Sequence, residues 1–104
     1  MSDLTDTALR VWAAHFLTPG NTLTFGGDGA EMEITPEARA GLDELVAHGA
    51  VKRAAADCQV HGREKYQATE VDLRDEIIWR AAGTNLFEWL ADSDLGLFRK
   101  RAQA

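Results

Sequence analysis

Apolar positions along the chain recur with two periods, and each change of period marks an element. Leu4, Ala8, Val11, Trp12 and Phe16 fall at near-helical spacing. They predict a first helix with one buried face, capped by Asp3 or Thr5 and stopped before Thr18-Pro19-Gly20. Thr22-Leu23-Thr24-Phe25 and Glu31-Met32-Glu33-Ile34 then alternate polar and apolar around Gly26-Gly27-Asp28-Gly29. That pattern predicts a β-hairpin with Leu23, Phe25, Met32 and Ile34 facing inward and the threonines and glutamates facing water.

Thr35-Pro36-Glu37 is a helix start: a hydroxyl at the cap, proline in the first turn and an acid near the positive end of the dipole. Ala38, Leu42, Leu45 and Val46 supply the expected apolar stripe, and Gly49 the stop. Val51-Lys52-Arg53-Ala54 and Lys65-Tyr66-Gln67-Ala68 read as paired strands, with Asp57, Cys58, His61 and Gly62 at the tip. From about Asp72 the period is helical again: Leu73, Ile77 and Ala81 stack, with Ile78 and Ala82 beside them. Gly83 breaks this helix and Thr84 can cap another, striped by Leu86, Trp89 and Leu90. Asp92-Ser93-Asp94 ends it, and Leu95, Leu97 and Phe98 precede the basic end Arg99-Lys100-Arg101. The expectation is an α+β fold in one domain over residues 1–104. Its order is an N-terminal helix, a hairpin, a central helix, a second hairpin and C-terminal helices.

Between Thr35 and Thr69 the residues Leu42, Leu45-Val46, Gly49, Val51, Arg53, Gly62-Arg63 and Lys65-Tyr66 follow the pattern of a helix, a wing and an aromatic-bearing strand. This segment, about a third of the chain, resembles winged-helix domains of bacterial transcription regulators. The resemblance implies a central recognition helix, a hairpin wing and duplex DNA as ligand, met by Arg39, Lys52, Arg53, Arg63 and Lys65. The family's second helix has no counterpart, because segment 20–34 stands in its place. Glu37, Asp43 and Glu44 on the central helix repel phosphate.

Charge shifts the balance away from nucleic acid. Among 104 residues the formal net charge is −6. Residues 1–50 hold eight acids against Arg10 and Arg39, while residues 51–104 hold nine charges of each sign. Non-specific DNA binding needs cations to displace counterions, whereas this acidity suits a basic protein. The single Cys58 excludes an internal disulfide and fits a reducing, cytoplasmic setting. The acidic start lacks a signal peptide's basic n-region, and no apolar run reaches membrane length.

Candidate chemistry is sparse. Cys58 and His61 have the spacing of half a zinc site, but zinc needs four ligands and only His48 and His15 remain, both remote. The same pair makes a poor nucleophile and base at an exposed tip. Gly26-Gly27-Asp28-Gly29 lacks the Gly-Lys-Ser/Thr of a phosphate loop and opens no helix. No metal, cofactor or catalytic residue is expected. Two surfaces remain. Asp28, Glu31, Glu33 and Glu37 form an acidic run, read either as a phosphate-imitating face or as charges guarding a strand edge. Trp79, Phe87, Trp89 and Phe98 concentrate aromatics near the end, read either as core or as a homodimer or partner interface. The expected function is a small cytoplasmic, non-catalytic module that contacts protein rather than DNA. One version is an inhibitor, of the sort phages encode against host defence complexes, that blocks a basic nucleic-acid-binding groove. The alternative is a winged-helix regulator.

Overall fold

The computed structural model describes residues 3–55, 61–91 and 97–101. Asp57 and Cys58 at the second hairpin's tip, the Asp92-Ser93-Asp94 break and Leu95 lie outside them.

The first helix is α1 (Asp6–His15), and Thr5 is its cap, with an oxygen accepting the Ala8 N–H. Thr5 also donates its own N–H and hydroxyl to the Glu44 carboxylate, at 3.0 and 2.8 Å. One residue therefore caps α1 and ties it to the central helix, α2 (Pro36–His48). Leu4, Ala8, Val11, Trp12 and Phe16 are all buried, joined by Leu9.

Helix α2 starts on Thr35, whose oxygen accepts from Ala38, and ends where Gly49 adopts φ +89°. Its buried residues are Ala38, Gly41, Leu42 and Leu45. Val46, expected in that stripe, is exposed. Gly41 takes the fourth place because α1 crosses there: a Cβ on Gly41 would lie 3.1 Å from the Ala8 Cα.

The second hairpin forms as expected, from β3 (Val51–Ala54) and β4 (Arg63–Ala68), with Val51 opposite Ala68 and Ala54 opposite Lys65. The first does not. Strand β1 (Thr22–Gly26) pairs antiparallel with β4, Thr22 opposite Gln67 through Gly26 opposite Arg63. The sheet order is β1-β4-β3. Strand β2 (Met32–Ile34) pairs with β5 (Phe98–Lys100), a strand made from what reads in sequence as a basic end. Two physical causes separate the expected partners. Gly26, Gly27 and Gly29 adopt φ of +80°, +94° and +81°, carrying the chain away from β1. The acidic β2 finds a basic complement in β5, where Glu33 lies opposite Arg99 with an ion pair at 2.9 Å. Phe25 is buried and Leu23 and Ile34 are half-buried, but Met32 points to solvent.

Helices α3 (Arg74–Arg80) and α4 (Leu86–Ala91) complete the helical elements among the described residues. Leu73, Ile77 and Ala81 are buried, while Ile78 and Ala82 are exposed. Asn85 rather than Thr84 caps α4: its Oδ1 accepts the Phe87 N–H at 2.9 Å, and its carbonyl accepts from Trp89. The Thr84 hydroxyl instead donates to the Ala81 carbonyl. The described residues form a small compact α+β domain of four helices and two antiparallel sheets. None of these helices is long and apolar enough to cross a membrane.

Candidate functional site

Helix α3 carries Ile77-Ile78-Trp79, three consecutive apolar residues that a helix turns about 100° apart. Only one can face the core, and Ile77 does. Ile78 and Trp79 are left 59% and 61% exposed, and Phe87 at the start of α4 is 83% exposed. Between α1, α3 and α4 lies a groove of about 270 Å³, lined by Ala13, Leu17, Ile77, Ile78, Leu86 and Leu90, with Arg74 at its margin. Leu17 and Leu86 are themselves partly open to solvent. The four aromatics singled out in the sequence thus divide. Trp79 and Phe87 stand out from the surface. Trp89 is buried, with the Arg10 guanidinium 4.6 Å from its ring centroid and the Arg10 Nε donating to its carbonyl. Phe98 is half-buried between His15 and Phe25, each with its ring edge-on at 5.8 Å.

Beside this face two arginines are held by three carboxylates, and the exposed Asp75 and Glu88 add further negative charge. Arg80 meets Asp6 at 3.2 Å and Glu76 at 3.5 Å, and Arg74 meets Asp72 at 3.0 Å. The Arg74 bonds hold the Asp72 carboxyl below its usual range and raise the Arg74 guanidinium.

A second cluster sits where α2 meets the larger sheet. Arg39 donates both Nη atoms to the Glu64 carboxylate, at 2.8 and 2.6 Å, and Tyr66 donates its hydroxyl to the same group at 3.0 Å. The Arg39 bonds depress the Glu64 carboxyl, and Glu64 in return raises the Arg39 guanidinium. Burial, then Glu64, push the Tyr66 phenol up. Arg39 also lies over the Phe25 ring at 5.3 Å, and Phe25 stacks on Tyr66 at 5.8 Å. Arg39, which the winged-helix resemblance sets against DNA, has its guanidinium committed to Glu64, a residue with no signal in the sequence pattern. Lys52 and Arg53 do face solvent on β3, with Arg53 only 3.9 Å from Glu64. Arg63 and Lys65 are half-buried; Arg63 lines a cleft with Phe25, Met32 and Phe98, and its Nε is buried with no hydrogen-bond acceptor among the described residues.

The acidic run is not purely acidic. Asp28, Glu31 and Glu37 are exposed, but Glu33 is paired with Arg99, and the Arg101 N–H donates to the Glu31 carbonyl. Pairing with β5 therefore lays Arg99 opposite Glu33 and Arg101 beside Glu31, with Lys100 opposite Met32. His61 is exposed in the turn before β4, and its zinc-spaced neighbour Cys58 lies outside the described residues. Among the described residues no three His, Cys, Asp or Glu side chains are grouped to hold a metal ion.

Comparison with protein-family models, with curated proteins and with solved structures finds no match for this chain.

Proposed function

We propose that this protein is a non-catalytic binding module that acts by docking against another protein through the α3–α4 face. The observation that carries this reading is the exposure of Ile78, Trp79 and Phe87 on α3 and α4, together with the apolar groove that Ile78 and Leu86 line. Sequestering Trp89 while exposing Phe87, two residues away on the same short helix, leaves apolar area for a partner. The groove is smaller than the ~300–1000 Å³ of small-molecule pockets and suits a single large side chain. The shifted titratable groups, Arg39, Glu64, Tyr66, Asp72 and Arg74, are all engaged in ion pairs or hydrogen bonds with one another, as in structural ion-pair networks. An inhibitor that offers its acidic run to a basic groove gains less support, since Arg99 and Arg101 share that patch.

The test is affinity capture from nuclease-treated lysate with the wild-type chain and with a Trp79→Ala, Phe87→Ala double variant. A protein retained by the first and lost by the second supports the reading. Equal capture by both removes the face from it.

A second reading, a winged-helix regulator, is supported by the order of α2 and the β3–β4 hairpin and by the exposed Lys52 and Arg53. It requires duplex affinity that falls steeply with salt, with Lys52→Ala lowering that slope by about 1. A chain that ignores duplex DNA at ~50 mM salt excludes it.

A further inference from the structure

We infer that the cleft where the two sheets meet is a binding site for a small organic anion with a flat apolar body, an aromatic carboxylate whose charge meets Arg63. The inference goes beyond the protein-docking reading and does not depend on it, because this cleft shares no lining residue with the α3–α4 groove.

Three observations carry it. First, the cleft has the size and walls of a small-molecule site. It measures about 600 Å³, within the ~300–1000 Å³ usual for such sites. Phe25, Met32 and Phe98 supply apolar walls, and the Phe25 and Phe98 rings already meet edge-on at 5.8 Å, an array that a further flat ring can extend. Met32 is the adaptable apolar side chain that the fold leaves open to solvent there. Second, the wall holds a cation with nothing to bind. The Arg63 Nε is buried without an acceptor, and no carboxylate among the described residues pairs with its guanidinium. A buried donor left unpaired is costly, and a carboxylate presents the two acceptor oxygens that the guanidinium fork fits. Third, the surroundings favour negative charge. Register sets Gly26 opposite Arg63, Thr24 opposite Lys65 and Lys52 opposite Gln67, and opposed residues share a sheet face. Among the described residues that face therefore carries Lys52, Arg63 and Lys65 and no acid. Lys100 likewise shares the face of Met32. Glu31 is the one described carboxylate that lines the cleft, and it is exposed. Glu33 and Glu64 lie on the opposite faces of their strands, paired with Arg99 and Arg39. The cations outnumber Glu31 and so admit an anion, while Glu31 disfavours a second negative charge on it, as a phosphate would carry.

Titration of the isotope-labelled full chain with naphthoate, followed by amide NMR shifts, tests the inference. The amides of Gly26, Met32 and Phe98 are expected to shift saturably, with a dissociation constant below ~1 mM, while those of Ile78 and Leu86 at the α3–α4 groove stay in place. The neutral isostere naphthamide is expected to bind ~10-fold or more weakly, the loss of a charge-assisted bond. Arg63→Gln is expected to bring naphthoate down to the level of naphthamide, with the dispersion of the spectrum as the check on folding. Glu31→Gln, which removes the opposing charge, is the second variant and is expected to tighten naphthoate ~2–3-fold. The absence of a saturable shift at these amides up to ~5 mM naphthoate overturns the inference. So does a naphthamide that binds as tightly as naphthoate, a set of shifts centred on Ile78 and Leu86, or an affinity indifferent to both variants.

Discussion

Two residues carry more of the fold than their size suggests. Gly41 sits where α1 and α2 touch, so adding a methyl group there sets helix propensity against packing. Alanine is worth ~1 kcal/mol over glycine in a helix, but the new Cβ meets the Ala8 backbone at 3.1–3.2 Å, which cannot rotate away as a side chain would. Gly41→Ala is therefore expected to lose about 1–2 kcal/mol, read as a lower urea midpoint at unchanged slope. Glu64 is the other. It accepts from Arg39 and Tyr66 together, and its carboxyl is depressed, so it stabilises the fold while ionised. That contribution is present above the unfolded glutamate value of about 4.3 and is lost as pH falls through the lower folded value. Glu64→Gln should cost about 1–2 kcal/mol at neutral pH, a modest figure because Arg39 is partly open to solvent, and should flatten the acid limb of the stability profile. Tyr66 acts at the other end. Its raised phenol favours the neutral form, so its share of stability declines as pH rises above about 10.

At the scale of elements, what was legible in the sequence was what is locally encoded. Thr5, Thr35-Pro36 and Gly49 announce helix ends by their own chemistry, and α1 and α2 form where those signals put them. Strand pairing is not local. Thr22–Phe25 and Glu31–Ile34 alternate as a hairpin would, yet alternation says which face is buried and not which strand lies alongside. The partner of β2 is 66 residues further on, and in sequence its Arg99 looks like part of a charged end. For the candidate site, the run Ile77-Ile78-Trp79 was a usable signal that α3 has apolar residues on more than one side. Which late aromatics turn inward was not, because Trp89 is held by Arg10 on a different helix. The β2–β5 pair can be checked directly. Arg99→Glu puts like charges opposite each other and should weaken the pair by about 0.5–1 kcal/mol, with faster amide exchange at Thr35 and Arg101, which donate across it. Adding Glu33→Arg should restore most of the protection; if exchange is indifferent to both changes, backbone and apolar contacts alone hold the pair.

For the whole molecule, the division of aromatics into buried and exposed predicts opposite consequences from similar truncations. Trp89→Ala empties a core position and removes the surface on which Arg10 lies, with an expected loss of about 3–5 kcal/mol. Phe87→Ala, two residues away, should leave unfolding within about 0.5 kcal/mol of wild type under conditions where the chain is monomeric. Equal losses from the two in urea titrations would mean that Phe87 belongs to the core. The placement of β5 also bears on how the chain is made. Met32–Ile34 emerges from the ribosome early, but the strand that covers its edge follows some 66 residues later, about 3–13 s at ordinary elongation rates of 5–20 residues per second. During that interval α1, α2 and the β1-β4-β3 sheet can assemble in order of appearance, while β2 waits as an open edge carrying Glu31 and Glu33. Those two carboxylates give the nascent chain like-charge repulsion against neighbouring chains on a polysome until Arg99 arrives to claim one of them.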